Sequence, residues 1–214
     1  MKKADITEFF RRLQERDPEP RGELDYTNSY TLLVAVALSA QATDVGVNKA
    51  TKALFQVVST PRQMLDLGEV RLKDYIRTIG LYNTKAKNII KAARMLVDDF
   101  DGMVPENRED LEKLAGVGRK TANVVLNIAF GHPTIAVDTH LFRVGNRTGM
   151  AVGKTPLAVE KKLEKVIPAC FARHAHHWLI LHGRYICKAR RPSCPTCPVE
   201  DLCSYRDKTV VDPL

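Results

Sequence analysis

Apolar residues recur at helical spacing along nearly the whole chain, over residues 4–16, 28–39, 43–58, 61–67, 70–79 and 83–100, and no convincing alternation of period two competes with them. This pattern restricts the chain to an all-α fold. Beyond residue 100, Asn107 is placed to cap a helix reaching residue 114, and Gly116-Val117-Gly118 turns the chain into another helix from about Arg119 to Gly131. Asp138 is placed to cap a helix through Arg143, and further helices are expected over residues 156–166 and 174–186.

At 214 residues the chain can form one domain or two small ones without staples. Its longest apolar run, residues 31–40, is too short for a bilayer, and the N-terminus lacks a signal-peptide core, so an intracellular protein is expected. Thirty-three Lys and Arg against 25 Asp and Glu give a formal charge of +8, which suits a polyanionic partner but also mere solubility. Where the charge sits discriminates better.

Residues 111–122, LEKLAGVGRKTA, join a helix end, a Gly-x-Gly turn and a helix start. Glycines let backbone approach phosphate closely, and helix N-terminal amides point outward with the positive dipole end behind them. A bare Gly-x-Gly is explained as well by a helix-to-helix turn. Arg119 and Lys120 shift the balance, because the dipole disfavours cations at a helix start and folding gains nothing from them there. The same surroundings favour the neutral amine of Lys120, and an amine can attack C1′ of a nucleotide, expelling the base and leaving an imine that permits β-elimination. Departure of a base through an oxocarbenium-like state calls for a carboxylate nearby. Asp138 is the candidate, although its spacing alone is explained by helix capping.

Cys187-x6-Cys194-x2-Cys197-x5-Cys203 supplies four soft ligands, and a reducing compartment makes metal ligation a better account of them than disulfides. Spacing alone ranks zinc above an iron–sulfur cluster. Between the first two ligands lie Lys188, Ala189, Arg190 and Arg191, a basic loop that a metal would stiffen against phosphates. Cys170, among apolar neighbours, reads as a small core residue. His174, His176 and His177 read as packing residues with no assigned site.

Taken in order, LSAQATD (38–44), IGLYN (79–83), the hairpin, VDTH (137–140) and the cysteine spacing resemble the endonuclease III family of helix-hairpin-helix DNA glycosylases. The likeness spans nearly the whole chain, with one departure: Ala115 stands where the family's hairpin often has proline. The resemblance implies a bilobal fold with a six-helix barrel over residues 22–132, ending in a helix-hairpin-helix at about 107–130. Residues 1–21 and 133–214 would form the second lobe, with a [4Fe–4S] cluster in the loop 187–203, which reverses the zinc ranking. It further implies excision of damaged pyrimidines from duplex DNA and strand cleavage through a lysine Schiff base, with Lys120 as nucleophile and Asp138 as the essential carboxylate. Gln41 and Leu81 would fill the gap left by a flipped nucleotide. Gly116, Gly118, Arg119, His140, Lys188, Arg190 and Arg191 would contact DNA. A cytoplasmic, nucleoid-associated monomer with no nucleotide cofactor is expected. The adenine-mismatch branch usually lacks the hairpin lysine and carries an extra C-terminal domain, so Lys120 and the end at Leu214 argue against it. A non-catalytic DNA-binding module is the remaining rival, one in which Lys120 would have no chemical role.

Overall fold

The computed structural model describes residues 1–210 and divides into two compact units: Glu23–Gly131 as one, and Met1–Gly22 with His132–Leu214 as the other. Ten α-helices and three short helical turns account for the regular structure, and no strand occurs among the described residues. No helix among them is long and apolar enough to cross a membrane.

The unit Glu23–Gly131 is built around α2 (Ser29–Ser39), which is apolar on every side and buried almost throughout, as a central helix must be. Around it stand α3 (Asp44–Val57), α5 (Tyr82–Asp99) and α7 (Arg119–Phe130), while α4 (Pro61–Ile76) lies against α5 and α6 (Arg108–Lys113) against α7. The starts follow local chemistry. Asn28, Thr43, Thr60 and Asn107 each accept a hydrogen bond from a first-turn amide, and Thr60 is reinforced by Gln63 and by Pro61 at the first helical position. Within α4, Gly68 takes φ 77°, ψ 163°, so this element is two helical pieces, matching the separate segments seen at 61–67 and 70–79.

The other unit packs α1 (Lys3–Arg16) against α10 (Ala169–Leu181), with α8 (Thr139–Thr148) and α9 (Pro156–Val166) beside them. Phe9 and Phe10 of α1 are fully buried, and Phe10 stacks on Phe171 with ring centroids 5.8 Å apart. After α10 the chain makes a π-helical turn (His182–Ile186) and two 3-10 turns (Cys194–Thr196 and Glu200–Leu202); Cys194 opens the first 3-10 turn, and Cys187, Cys197 and Cys203 each directly follow one of the three.

Three expectations need correction. α8 runs on past Arg143 to Thr148, because nothing stops it before Gly149, whose φ of 74° provides a left-handed terminus. α10 begins at Ala169, directly after Pro168, and not at residue 174. Cys170 is exposed: α10 turns Phe171, Ala175 and Trp178 inward, and residue 170 lies off that face.

Candidate functional site

Within the unit Glu23–Gly131, α6 ends at Lys113 with Leu114 as its C-cap, and the hairpin 115–118 leads into α7. Gly116 has φ 78°, and an added Cβ would stand 3.0 Å from the Asn88 side chain, so both backbone conformation and packing on α5 require glycine there. Gly118 is different. Its φ is −101°, and a Cβ there would meet nothing within 4 Å. Packing does not demand glycine at 118; its place at a helix start suits glycine, and the open space leaves room for close approach of an external group. Gly118 is also the N-cap of α7 and brings no capping side chain to its first-turn amides. Arg119 and Lys120 follow as the first two helical residues, both exposed. A backbone-lined, positively charged helix start of this kind suits a phosphate.

Gln41 and Leu81 are both exposed and both left-handed, with φ 57° and 60°. Among the described residues only two other non-glycine positions have positive φ, Asp101 and Arg191. Such backbone costs on the order of 1 kcal/mol per residue and persists where surroundings enforce it. Three of these four strained positions were singled out in the sequence as DNA contacts. Leu81, 62% exposed, leaves most of an apolar side chain in water, with nothing in its own unit to bury it.

In the other unit, Asp138 is the N-cap of α8. Its Oδ1 accepts from the amides of His140 and Leu141 at 2.8 and 2.9 Å, and no hydrogen bond to Oδ2 occurs among the described residues. Half-buried Asp138 therefore holds one oxygen fixed and one uncommitted. Lys120 and Asp138 lie in different units, at the starts of consecutive helices.

All four predicted ligands, Cys187, Cys194, Cys197 and Cys203, line one small cavity of about 20 Å³ together with His182 and Val199. No disulfide joins them. Burial pushes the Cys197 thiol up to about 11 and the Cys203 thiol upward as well, each helped by the neighbouring cysteines. Thiolates gathered this way need a positive centre to remain ionised. Among the described residues no three His, Cys, Asp or Glu side chains converge closely enough to hold a single ion. The thiols instead ring a space.

The loop between the first two cysteines is held by residues that sequence reasoning missed. Arg143 donates to the carbonyl oxygens of Cys187 (2.8 Å) and Gly183 (2.7 Å), and it stands 3.2 Å from Nδ1 of His140. One turn later, Arg147 donates to Lys188 O (2.7 Å) and Ala189 O (3.0 Å), and its guanidinium lies 4.4 Å over the Tyr205 ring. The available signal was the i, i+4 pair of arginines following Asp138. These anchors leave Lys188, Arg190 and Arg191 exposed, with Arg191 left-handed at φ 48°. His182 packs edge-on to Phe9 and brings Nε2 within 3.9 Å of Cys197 Sγ. His174 tilts over Trp178, while His176 and His177 are buried.

Residues 34–169 match the HhH-GPD superfamily of base excision DNA repair proteins. Endonuclease III of Haemophilus influenzae is 62% identical over 208 residues, covering 97% of this chain and 99% of that protein. Its Escherichia coli counterpart is 60% identical with the same coverage. Among solved structures, a trapped endonuclease III–DNA covalent intermediate matches with a TM-score of 0.88 at 46% identity, covering 95% of this chain and 96% of that one.

Proposed function

The chain belongs to the HhH-GPD superfamily of base excision DNA repair proteins, and from that premise we propose that it releases damaged pyrimidines from duplex DNA and cleaves the resulting abasic strand through Lys120. The observation that carries this reading is the start of α7: an exposed lysine beside a glycine N-cap whose amides and surrounding space are open to an external group. The relatives named above are endonuclease III, and one of them has been captured covalently bound to DNA.

In the proposed reaction the hairpin amides and Arg119 hold a backbone phosphate while Gln41 and Leu81 fill the space vacated by the flipped nucleotide. The uncommitted oxygen of Asp138 stabilises positive charge on the sugar as the glycosidic bond breaks. The Lys120 amine forms a bond to C1′, the base leaves with its electron pair and takes up a proton, and the nitrogen loses a proton; the C1′–O4′ bond then opens, O4′ taking up a proton, to leave a protonated imine at C1′. The resulting imine acidifies C2′. Loss of that proton and elimination of the 3′ phosphate break the strand, and water then releases Lys120. His140, Lys188, Arg190 and Arg191 supply further contacts to DNA, the last three by charge on a loop anchored through Arg143 and Arg147.

The residues present fit a [4Fe–4S] cluster held by Cys187, Cys194, Cys197 and Cys203, because all four line one cavity and supply the four thiolates such a cluster takes. Bound there, it would neutralise the thiolates and fix the basic loop. Broad absorption at about 400 nm with about four iron and four sulfide per chain is expected; colourless protein with one zinc would refute it.

The function is tested by mixing the protein with a duplex containing one thymine glycol and adding borohydride. A covalent adduct that disappears in Lys120→Gln supports the lysine mechanism. Tight binding with no adduct would indicate a glycosylase that uses water instead, or a binding module.

A further inference from the structure

We propose that Lys85 is a positioning residue for nucleotide flipping, its ammonium tying the loop that carries Gln41 to the loop that carries Leu81. The inference rests on the gap-filling reading of those two residues given above. Lys85 sits in the first turn of α5, its own amide donating to the Leu81 carbonyl at 3.0 Å. Its Nζ crosses to the end of α2 and donates to Leu38 O at 3.0 Å and to Ala40 O at 2.6 Å. Ala40 is the C-cap of α2, and Gln41 is the next residue. One side chain therefore fixes the last ordered carbonyl before Gln41 to the helix start that follows Leu81.

Four further observations favour this assignment. A cation in the first turn of α5 opposes that helix's own dipole, while the same charge at the end of α2 is favoured, so the lysine serves α2 and not its own helix. No basic residue of α2 itself serves its last turn. Packing between the two loops is incomplete, since a cavity of about 200 Å³ has Tyr30, Ala40, Leu81, Lys85, Asn88 and the 115–117 hairpin among its walls. Finally, both loops are held in left-handed backbone at their exposed residues, a conformation that needs a fixed frame to persist. Burial works against a charge at Lys85, and the two carbonyl oxygens offset that cost.

The test uses the full chain with its cluster, as wild type, Lys85→Met and Lys85→Arg. Single-turnover base release is measured on a thymine glycol duplex, and β-elimination on a single-stranded abasic oligonucleotide, which offers no opposite strand and no gap to fill. Lys85→Met should slow the duplex reaction about tenfold while changing the single-strand reaction by less than about twofold. The brightening of a 2-aminopurine placed opposite the lesion should weaken in parallel, and Lys85→Arg, which keeps the donors, should recover most of both. A duplex-to-single-strand ratio in Lys85→Met equal to wild type overturns the proposal, whether both rates persist or both fall. Gln41→Ala/Leu81→Ala provides the separate check. If this double variant keeps the wild-type ratio, the gap-filling reading fails and the inference falls with it.

Discussion

Asp138 Oδ1 accepts the Leu141 amide at 2.9 Å, so the carboxylate proposed for catalysis is also the cap of α8. Asparagine caps helices as well as aspartate does, so Asp138→Asn should change stability by less than about 0.5 kcal/mol, whereas Asp138→Ala should cost about 1 kcal/mol. Base release should collapse in both. Parallel urea unfolding and single-turnover assays decide it: an active Asp138→Asn enzyme would remove the carboxylate from the mechanism.

The two hairpin glycines should separate folding from binding. Gly116→Ala places a β-carbon 3.0 Å from Asn88 at φ 78° and should destabilise the protein by about 1–2 kcal/mol. Gly118→Ala meets nothing inside the protein, so its stability should stay within about 0.5 kcal/mol of wild type while affinity for abasic duplex falls several-fold. Equal affinity in Gly118→Ala would show that no phosphate approaches this turn.

Arg147 and Lys188 should differ in salt dependence. Lys188 points its charge outward, and Lys188→Ala should lower the salt slope of binding by about 1. Arg147 spends its donors on the carbonyls of Lys188 and Ala189, so Arg147→Ala should weaken binding by loosening the loop and leave the slope nearly unchanged. Binding isotherms at several salt concentrations would show a slope falling equally in both variants if Arg147 contacted DNA itself.

His177 should make the protein sensitive to acid. Burial, with smaller contributions from His174 and Arg173 and against the pull of Asp17, holds it down to about 4, below the ordinary value of about 6.5 in an unfolded chain. Between these values the unfolded chain takes up a proton that the folded protein refuses, so stability falls as pH drops through this window. His177→Gln should reduce the stability lost between pH 7.5 and 5 by about 2 kcal/mol. Identical losses in variant and wild type would assign the sensitivity elsewhere, His182 being next, since burial also pushes it to about 4.

The helices were legible because each carries its instructions locally. Asn107 and Asp138 cap where the sequence placed caps, and Gly131 stops α7 in the left-handed region as its position implied. What escaped notice depends on partners distant in sequence. The π-helical turn accompanies Gly183 packing so closely on α8 that a Cβ would stand 2.8 Å from that of His140. The Lys85 clamp uses main-chain carbonyls 45 and 47 positions upstream, which no side-chain pattern records. Cys170 misled because apolar neighbours in sequence are not neighbours in space: on a helix, residue 171 can face inward while 170 does not. Of the candidate site, the residue types were readable. The uncommitted oxygen of Asp138 and the arginine anchors of the cysteine loop became visible only with the backbone in place.

Because α1 packs with α10, a helix made early must wait for one made much later. Phe10 finds Phe171 and Trp178, and Phe9 finds His182, only after about 160 or more further residues, on the order of 10–30 s of synthesis at ordinary rates. The contiguous unit Glu23–Gly131 can close on itself in that interval, while an amphipathic helix trails from its N-terminus with its aromatic face wet. Until α10 is made, that aromatic face has nothing of its own unit to cover it, and any delay in synthesising the later helices prolongs its exposure.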